Sequence, residues 1–312
     1  VADVHRFEGQ APQPVRTTLD PAVQSAVEAA LGTTTAPTAI VVVDSKSNVR
    51  AVASRPLNEF NRALAGEYAP GSTFKIVTTT GLLARGVTPD TPVECAPTVN
   101  AGGRSFRNLE QSSLGTVPFG LAFAQSCNTA FISAAADMPD PDFVAAAESY
   151  GFNTEYSVGL DTAGGSFPTP ADATEHAAAA IGQGRVTASP LHMATVGGSV
   201  IDGTWEPPVL LPDEPAPNAP APTSLAPGAN QTLFGLMRRV VTEGSGTAAA
   251  VPGVDIAGKT GTAEYGSGDP PPTRAWFVGI RGDLTVAVLV EDGVSGGEVA
   301  APIAGRVLAA LP

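Results

Sequence analysis

Lysine occurs only three times in this chain, at positions 46, 75 and 259, and two of those positions lie in segments with the makings of a catalytic site. In Tyr68-Ala-Pro-Gly-Ser-Thr-Phe-Lys75, Pro70-Gly71 ends an extended stretch and Ser72 begins a helix. Ser72 and Lys75, three apart, share one helix face, so an amine comes within reach of a hydroxyl. A serine is a weak nucleophile until a base takes its proton. Lys75 can be that base if burial and a second cation lower its pKa, and Lys259 is the candidate cation. Gln125-Ser-Cys-Asn128 places Ser126 and Asn128 on a loop entering a helix. Lys259-Thr-Gly-Thr262 falls on a strand, where glycine often marks close approach of a ligand backbone, and a lysine with two threonines suits a carboxylate. Each segment alone also has a plain structural reading: an N-cap serine with a surface lysine, a capping serine beside a turn asparagine, a bulge in an edge strand.

The elements that must position these groups come from both ends of the chain. Asp20-Pro21 is an N-cap followed by proline at the first helical position, and Val23, Val27, Ala30 and Leu31 follow at helical spacing. Residues 38–44 and 48–54 are β-rich runs that read as a hairpin. Residues 255–264, 274–280 and 284–291 read as three more strands, the last two joined by Arg281-Gly282-Asp283. A final helix is expected over 298–311, with Val299, Ile303, Val307 and Leu311 on one face. Together these predict an α+β fold: a five-stranded antiparallel sheet drawn from both chain ends, flanked by helices. An all-helical insertion over roughly 70–200 interrupts it, with helical patterns near 74–85, 117–136, 141–150 and 189–201. Eight prolines between Glu206 and Ala229 predict an extended surface excursion, and Gly266 to Thr273 a mobile loop between two strands. Residues 1–16 read as a link to an upstream non-catalytic module, and residues 17–312 as one domain.

Composition narrows the function classes. A net charge of −13 with no basic patch leaves nothing to neutralise phosphates, so nucleic acid is not an expected partner. No apolar run is long enough for a membrane span, so any anchor is expected outside these residues. His5, His176 and His192 have no ligand-like spacing, no glycine-rich phosphate loop carries a lysine, and neither metal nor cofactor is expected. Cys95 and Cys127 read as two buried thiols rather than a bridge. Trp276 reads as core or cleft wall, and Tyr68 as packing.

Ser-x-x-Lys, Ser-x-Asn and Lys-Thr-Gly in that order form the signature set of the penicillin-recognising serine enzymes. From Thr17 onward the chain resembles the transpeptidase domain of class B penicillin-binding proteins. Thr17-Thr-Leu-Asp-Pro21, Ala69-Pro-Gly71, Ile181-Gly-Gln-Gly184 and Thr187-Ala-Ser-Pro190 also carry the resemblance. The resemblance implies that Ser72 is the acylated nucleophile, Lys75 its base, and Ser126 the proton carrier to the leaving amine. It further implies that Lys259 biases Ser126, that Asn128 holds the substrate amide, and that Thr260, Gly261 and Thr262 bind the terminal carboxylate segment. The oxyanion hole would be the backbone N–H groups of Ser72 and Thr262. Expected partners are D-Ala-D-Ala stem peptides, an amine acceptor and β-lactams. The parent protein is expected at the outer face of the cytoplasmic membrane through an anchor, with division or elongation proteins as neighbours. A D,D-carboxypeptidase, a β-lactamase and a non-turnover β-lactam sensor are the alternatives. The deacylating Glu-x-x-Leu-Asn segment of class A β-lactamases is missing between Ser126 and Lys259, and Glu155 and Glu175 stand in unrelated contexts.

Overall fold

The computed structural model describes residues 14–32, 34–57, 59–213 and 219–311. The segment that reads as an upstream link lies mostly outside the described residues. Asp20 caps helix α1 (Pro21–Leu31), its carboxylate accepting from the Ala22 and Val23 N–H groups, as the Asp-Pro pair predicts. Strands β1 (Thr38–Asp44) and β2 (Val49–Arg55) form the expected hairpin. At the far end, β3 (Ala257–Glu264), β4 (Thr273–Arg281) and β5 (Leu284–Val290) pair in sequence. The five strands make one antiparallel sheet in the order β3-β4-β5-β1-β2, so the two chain ends meet where β1 pairs with β5.

Strand alternation sends neighbouring side chains into two separate cores. Ala39, Val41 and Val43 of β1, with Trp276, Val278 and Leu289, face one apolar cluster, while Ile40, Val42, Phe277, Val286 and Val288 face the other. That is why β1 reads as an unbroken apolar run: both of its faces are buried. The second cluster is closed by α1 and by the C-terminal helix α8 (Ala301–Ala310), which contributes Ile303, Val307 and Leu308. The first is closed by α2 (Lys75–Ala84), α6 (Pro190–Asp202) and α7 (Ala229–Thr242), with helices α3 (Phe119–Ala124), α4 (Asn128–Ala135) and α5 (Asp140–Glu148) packed beyond. Sheet and insertion therefore share one core, and the site lies at their seam.

Four expectations need correction. The insertion is not all-helical: Pro92–Cys95 pairs with Gly115–Pro118, and Thr98–Ala101 with Arg104–Arg107, in two small sheets. The pattern over 117–136 is two helices, parted by the loop that the Gln125–Asn128 segment predicts, where Ser126 has φ +57°. Cys95 and Cys127 are joined as a disulfide, tying the first small sheet to the start of α4. The last helix begins with a wide turn over Gly296–Ala300 before α8 proper. The amphipathic helix α7 was not foreseen at all; among its described residues the proline-rich stretch before it carries one short strand, Thr223–Ser224, which pairs with Thr204–Trp205 ahead of the stretch.

Candidate active site

A single turn of 3-10 helix, Gly71–Phe74, carries Ser72 and runs directly into α2 with Lys75 at its head. Phe74 anchors that turn, stacked on Phe167 at 5.4 Å and set edge-on to Phe152 at 5.2 Å. Ahead of the turn, Tyr68 exchanges backbone hydrogen bonds with Ala188 (3.1 and 2.8 Å), and the Gly71 N–H donates to the Gly182 carbonyl (2.9 Å). The Ile181–Gly184 and Thr187–Pro190 segments are thus braces for the turn that carries Ser72. Trp276 is fully buried and donates from Nε1 to the Ala69 carbonyl at 3.0 Å, so β4 holds the same segment from behind.

Two glycines let the turn meet the sheet. Gly71 has φ +52°, and a Cβ there would lie 2.5 Å from the Thr262 carbonyl oxygen. A Cβ on Gly261 would lie 2.9 Å from the Pro70 oxygen and 2.9 Å from Thr73. The Lys-Thr-Gly strand keeps regular pairing with β4 throughout and forms the sheet's edge, so its glycine serves close approach rather than a bulge.

The third segment enters between α3 and α4. Ser126 sits in the left-handed region, a conformation costly for a residue with a side chain, and its Oγ lies between both buried lysines. Lys75 Nζ is 2.8 Å from the Ser126 carbonyl oxygen, 2.8 Å from Asn128 Oδ1 and 3.3 Å from Ser126 Oγ. Lys259 Nζ donates to Ser126 Oγ at 2.8 Å and to the Thr260 carbonyl at 3.1 Å. Ser72 Oγ donates to Asn128 Oδ1 at 3.5 Å, the long end of a hydrogen bond. Asn128 Nδ2 in turn donates to the Arg107 carbonyl at 3.0 Å, which fixes the amide's orientation.

Both lysines are completely buried. Burial pushes Lys75 well below the ordinary lysine value, with the Lys259 charge adding in the same direction. Burial alone lowers Lys259 to about 7. A neutral Lys75 has two N–H groups, which the Ser126 and Asn128 oxygens accept, and a lone pair left over to take a proton. The sequence reading gave the neighbouring cation as the cause of the shift beside burial; burial is the larger cause.

The structure brings together every residue singled out: Ser72, Ser126, Asn128, Thr260, Gly261 and Thr262 line one cleft of about 1620 Å³, with Lys75 and Lys259 in its floor. Among the described residues neither Glu155 nor Glu175 lines it, and Glu175 is bound to Arg185. Three contributors went unread. Ser245 Oγ lies 2.6 Å from Thr260 Oγ1, the Gly296 N–H donates to Thr262 Oγ1 at 3.2 Å, and the Arg107 carbonyl holds Asn128. Two of the three act through backbone atoms, which no residue type reports.

This convergence on one hydroxyl from three distant stretches of chain is what comparison with known proteins then places. Residues 38–309 match the model of the penicillin binding protein transpeptidase domain. The chain belongs to that family. It is 34% identical over 279 residues to the peptidoglycan D,D-transpeptidase PbpA of Mycolicibacterium smegmatis, covering 80% of this chain and 56% of that protein. The chain thus spans little more than half the length of that relative. The D,D-transpeptidase domain of a peptidoglycan glycosyltransferase from Eggerthella lenta superposes with a TM-score of 0.85 at 29% identity, over 97% of this chain and 84% of that one. Penicillin-binding protein A from M. tuberculosis, as its ceftriaxone acyl-enzyme complex, superposes with a TM-score of 0.84 at 27% identity, over 95% and 79%. As a penicillin-binding protein transpeptidase domain, the chain has the mixed fold its sequence predicted, with the five-stranded sheet at its centre.

Proposed function

We propose that this domain is a peptidoglycan D,D-transpeptidase that works through a Ser72 acyl-enzyme and is acylated irreversibly, on the timescale of turnover, by β-lactams. The observation that carries this reading is the meeting of Lys75 Nζ and Lys259 Nζ on Ser126 Oγ, at 3.3 and 2.8 Å, beside a serine at the head of a helix. Neutral Lys75 takes the Ser72 proton as Oγ attacks the penultimate D-alanine carbonyl. Lys75 returns it through Ser126 to the departing D-alanine nitrogen, and Lys259 holds Ser126 in the relay. Thr260 and Thr262, with Lys259 charged below about pH 7, receive the terminal carboxylate. The backbone N–H groups of Ser72 and Thr262 are the oxyanion donors: that of Ser72 has no backbone acceptor among the described residues, and Thr262 lies on the edge strand. An amine from a neighbouring stem peptide then resolves the ester.

A β-lactam follows the first half of this course but keeps its leaving group tethered, and among the described residues neither Glu155 nor Glu175 lines the cleft. The Cys95–Cys127 disulfide suits an extracytoplasmic site, where such bonds persist. No helix among the described residues is long and apolar enough to cross a membrane. Intact-mass measurement after incubation with benzylpenicillin, followed by peptide mapping, tests the reading: one adduct is expected, on Ser72. An adduct on another residue, or rapid release of hydrolysed drug, overturns it.

A further inference from the structure

The cleft has two walls that meet across its mouth through one ion pair. Arg107 ends the small strand Arg104–Arg107 of the insertion, and Glu264 ends β3 of the sheet. Arg107 Nη2 and Glu264 Oε1 lie 3.5 Å apart, and both side chains are about half exposed, at 55% and 50%. Such a half-exposed pair contributes little to stability and opens readily when a better partner arrives. Both residues line the cleft together with Ser72 and Asn128.

Strand geometry says what Glu264 faces. Side chains two apart share one side of a strand, so Thr260, Thr262 and Glu264 form a row. Along that row burial falls from buried Thr260 through half-buried Thr262 to exposed Glu264, so the row leads from the reaction centre outward to solvent. The reaction proposed above needs two different groups to pass along it. The donor's terminal carboxylate binds at the threonines and leaves with D-alanine; the acceptor must then enter the vacated space as an ammonium, its ordinary form in water. A carboxylate one step outside the threonines suits the second visitor and repels the first. Asp292, another carboxylate of the cleft lining, accepts from the Tyr265 hydroxyl.

We propose that Glu264 is the residue that binds the incoming acceptor ammonium, and that Arg107 is its resting partner, displaced when the acceptor arrives. This rests on the transpeptidase reading and assigns its second substrate a place. In the step that follows, the ammonium gives one proton to solvent. The freed amine attacks the ester carbonyl, the C–N bond forms, the bond from that carbon to Ser72 Oγ breaks, and the amine's second proton passes to Ser72 Oγ through Lys75 and Ser126. The products are the amide, free Ser72 and one released proton.

The test uses a thioester donor with D-alanine as acceptor and, in parallel, D-lactate, which has a hydroxyl in place of the ammonium. Glu264→Gln is expected to raise the D-alanine KM about 10-fold, the loss of one hydrogen bond to a charged group, while the D-lactate KM stays within about twofold of the parent. Arg107→Gln, which frees Glu264, is expected to lower the D-alanine KM about twofold. Benzylpenicillin adduct formation in the same samples reports whether each variant holds a working Ser72. Equal changes for both acceptors in Glu264→Gln, an unchanged D-alanine KM, or a rise in Arg107→Gln matching that of Glu264→Gln would each overturn the proposal. If the parent chain forms its penicillin adduct but yields only hydrolysis at every D-alanine concentration, the transpeptidase reading falls and this one with it.

Discussion

Two buried amines sharing one hydroxyl make the cleft's chemistry sensitive to pH in a defined direction. In the proposed mechanism Lys75 serves as a base only after losing its proton, and burial favours that neutral form. The carboxylate-binding part proposed for Lys259 needs its charge, which holds below about 7. Acylation by benzylpenicillin, followed by intact mass from pH 5 to 9, should therefore decline on the alkaline side of about pH 7; a rate rising without limit to pH 9 would show that Lys259 charge is not needed. Lys75→Met should slow acylation by ~10²- to 10⁴-fold, the usual contribution of a general base, and the same assay checks it. The same burial costs stability, and the sign is fixed. Lys259 titrates lower folded than unfolded, so between about pH 7 and 10.5 the unfolded chain holds more protons and stability rises with pH. Below that window the penalty is fully present. Urea titrations at pH 7 and 9 should show Lys259→Met losing part of the pH-dependent gain seen in the parent.

At the scale of elements, the site depends on a strand edge and a helical turn approaching more closely than any Cβ permits. Gly71→Ala adds a Cβ 2.5 Å from the Thr262 oxygen at a φ of +52°. It should cost roughly 1–3 kcal/mol and lower acylation at least tenfold, because the added atom pushes Ser72 away from β3; chemical denaturation and adduct formation measure the two effects. The disulfide closes a loop between Cys95 and Cys127 with a sequence separation of 32. Replacing both cysteines with alanine should destabilise the chain by about 2–4 kcal/mol, read by denaturant midpoint against the oxidised parent. These two features show where sequence legibility ended. Gly71 and Gly261 announced themselves by standing inside motifs. The periodicity of residues 117–136 runs across the break at Ser126, because Ala, Phe and Cys continue the apolar pattern; the Ser-x-Asn segment, read as a loop entering a helix, is what marked the place. The bridge was misread because two cysteines carry no pairing information until the small sheet at 92–118 is known to fold against α4. Helix α7 was missed because the proline-rich stretch before it drew the reading toward irregular chain.

At the scale of the molecule, the order β3-β4-β5-β1-β2 makes the site a property of both chain ends. Strand β5 is the central strand, pairing with β4 on one side and β1 on the other, and its Val286, Val288 and Leu289 are fully buried between the two cores. That arrangement was readable in the sequence, since five β-rich runs split between the termini, with helices at each end, leave one antiparallel sheet as the simple way to bury them. Its consequence can be checked by truncation. A chain ending at Asp283 keeps Ser72, Lys75, Ser126, Asn128, Lys259, Thr260 and Thr262, so a site assembled locally within the insertion and β3 would still react. Without β5, however, β4 and β1 each lose a neighbour, and without α8 the apolar face made by Ile40, Val42 and Phe277 loses its cover. The truncated chain should bind no detectable benzylpenicillin and show no cooperative thermal transition by circular dichroism. Retained labelling at Ser72 would mean that the insertion organises the catalytic groups by itself, and that the two-ended sheet is scaffold rather than a condition of the chemistry.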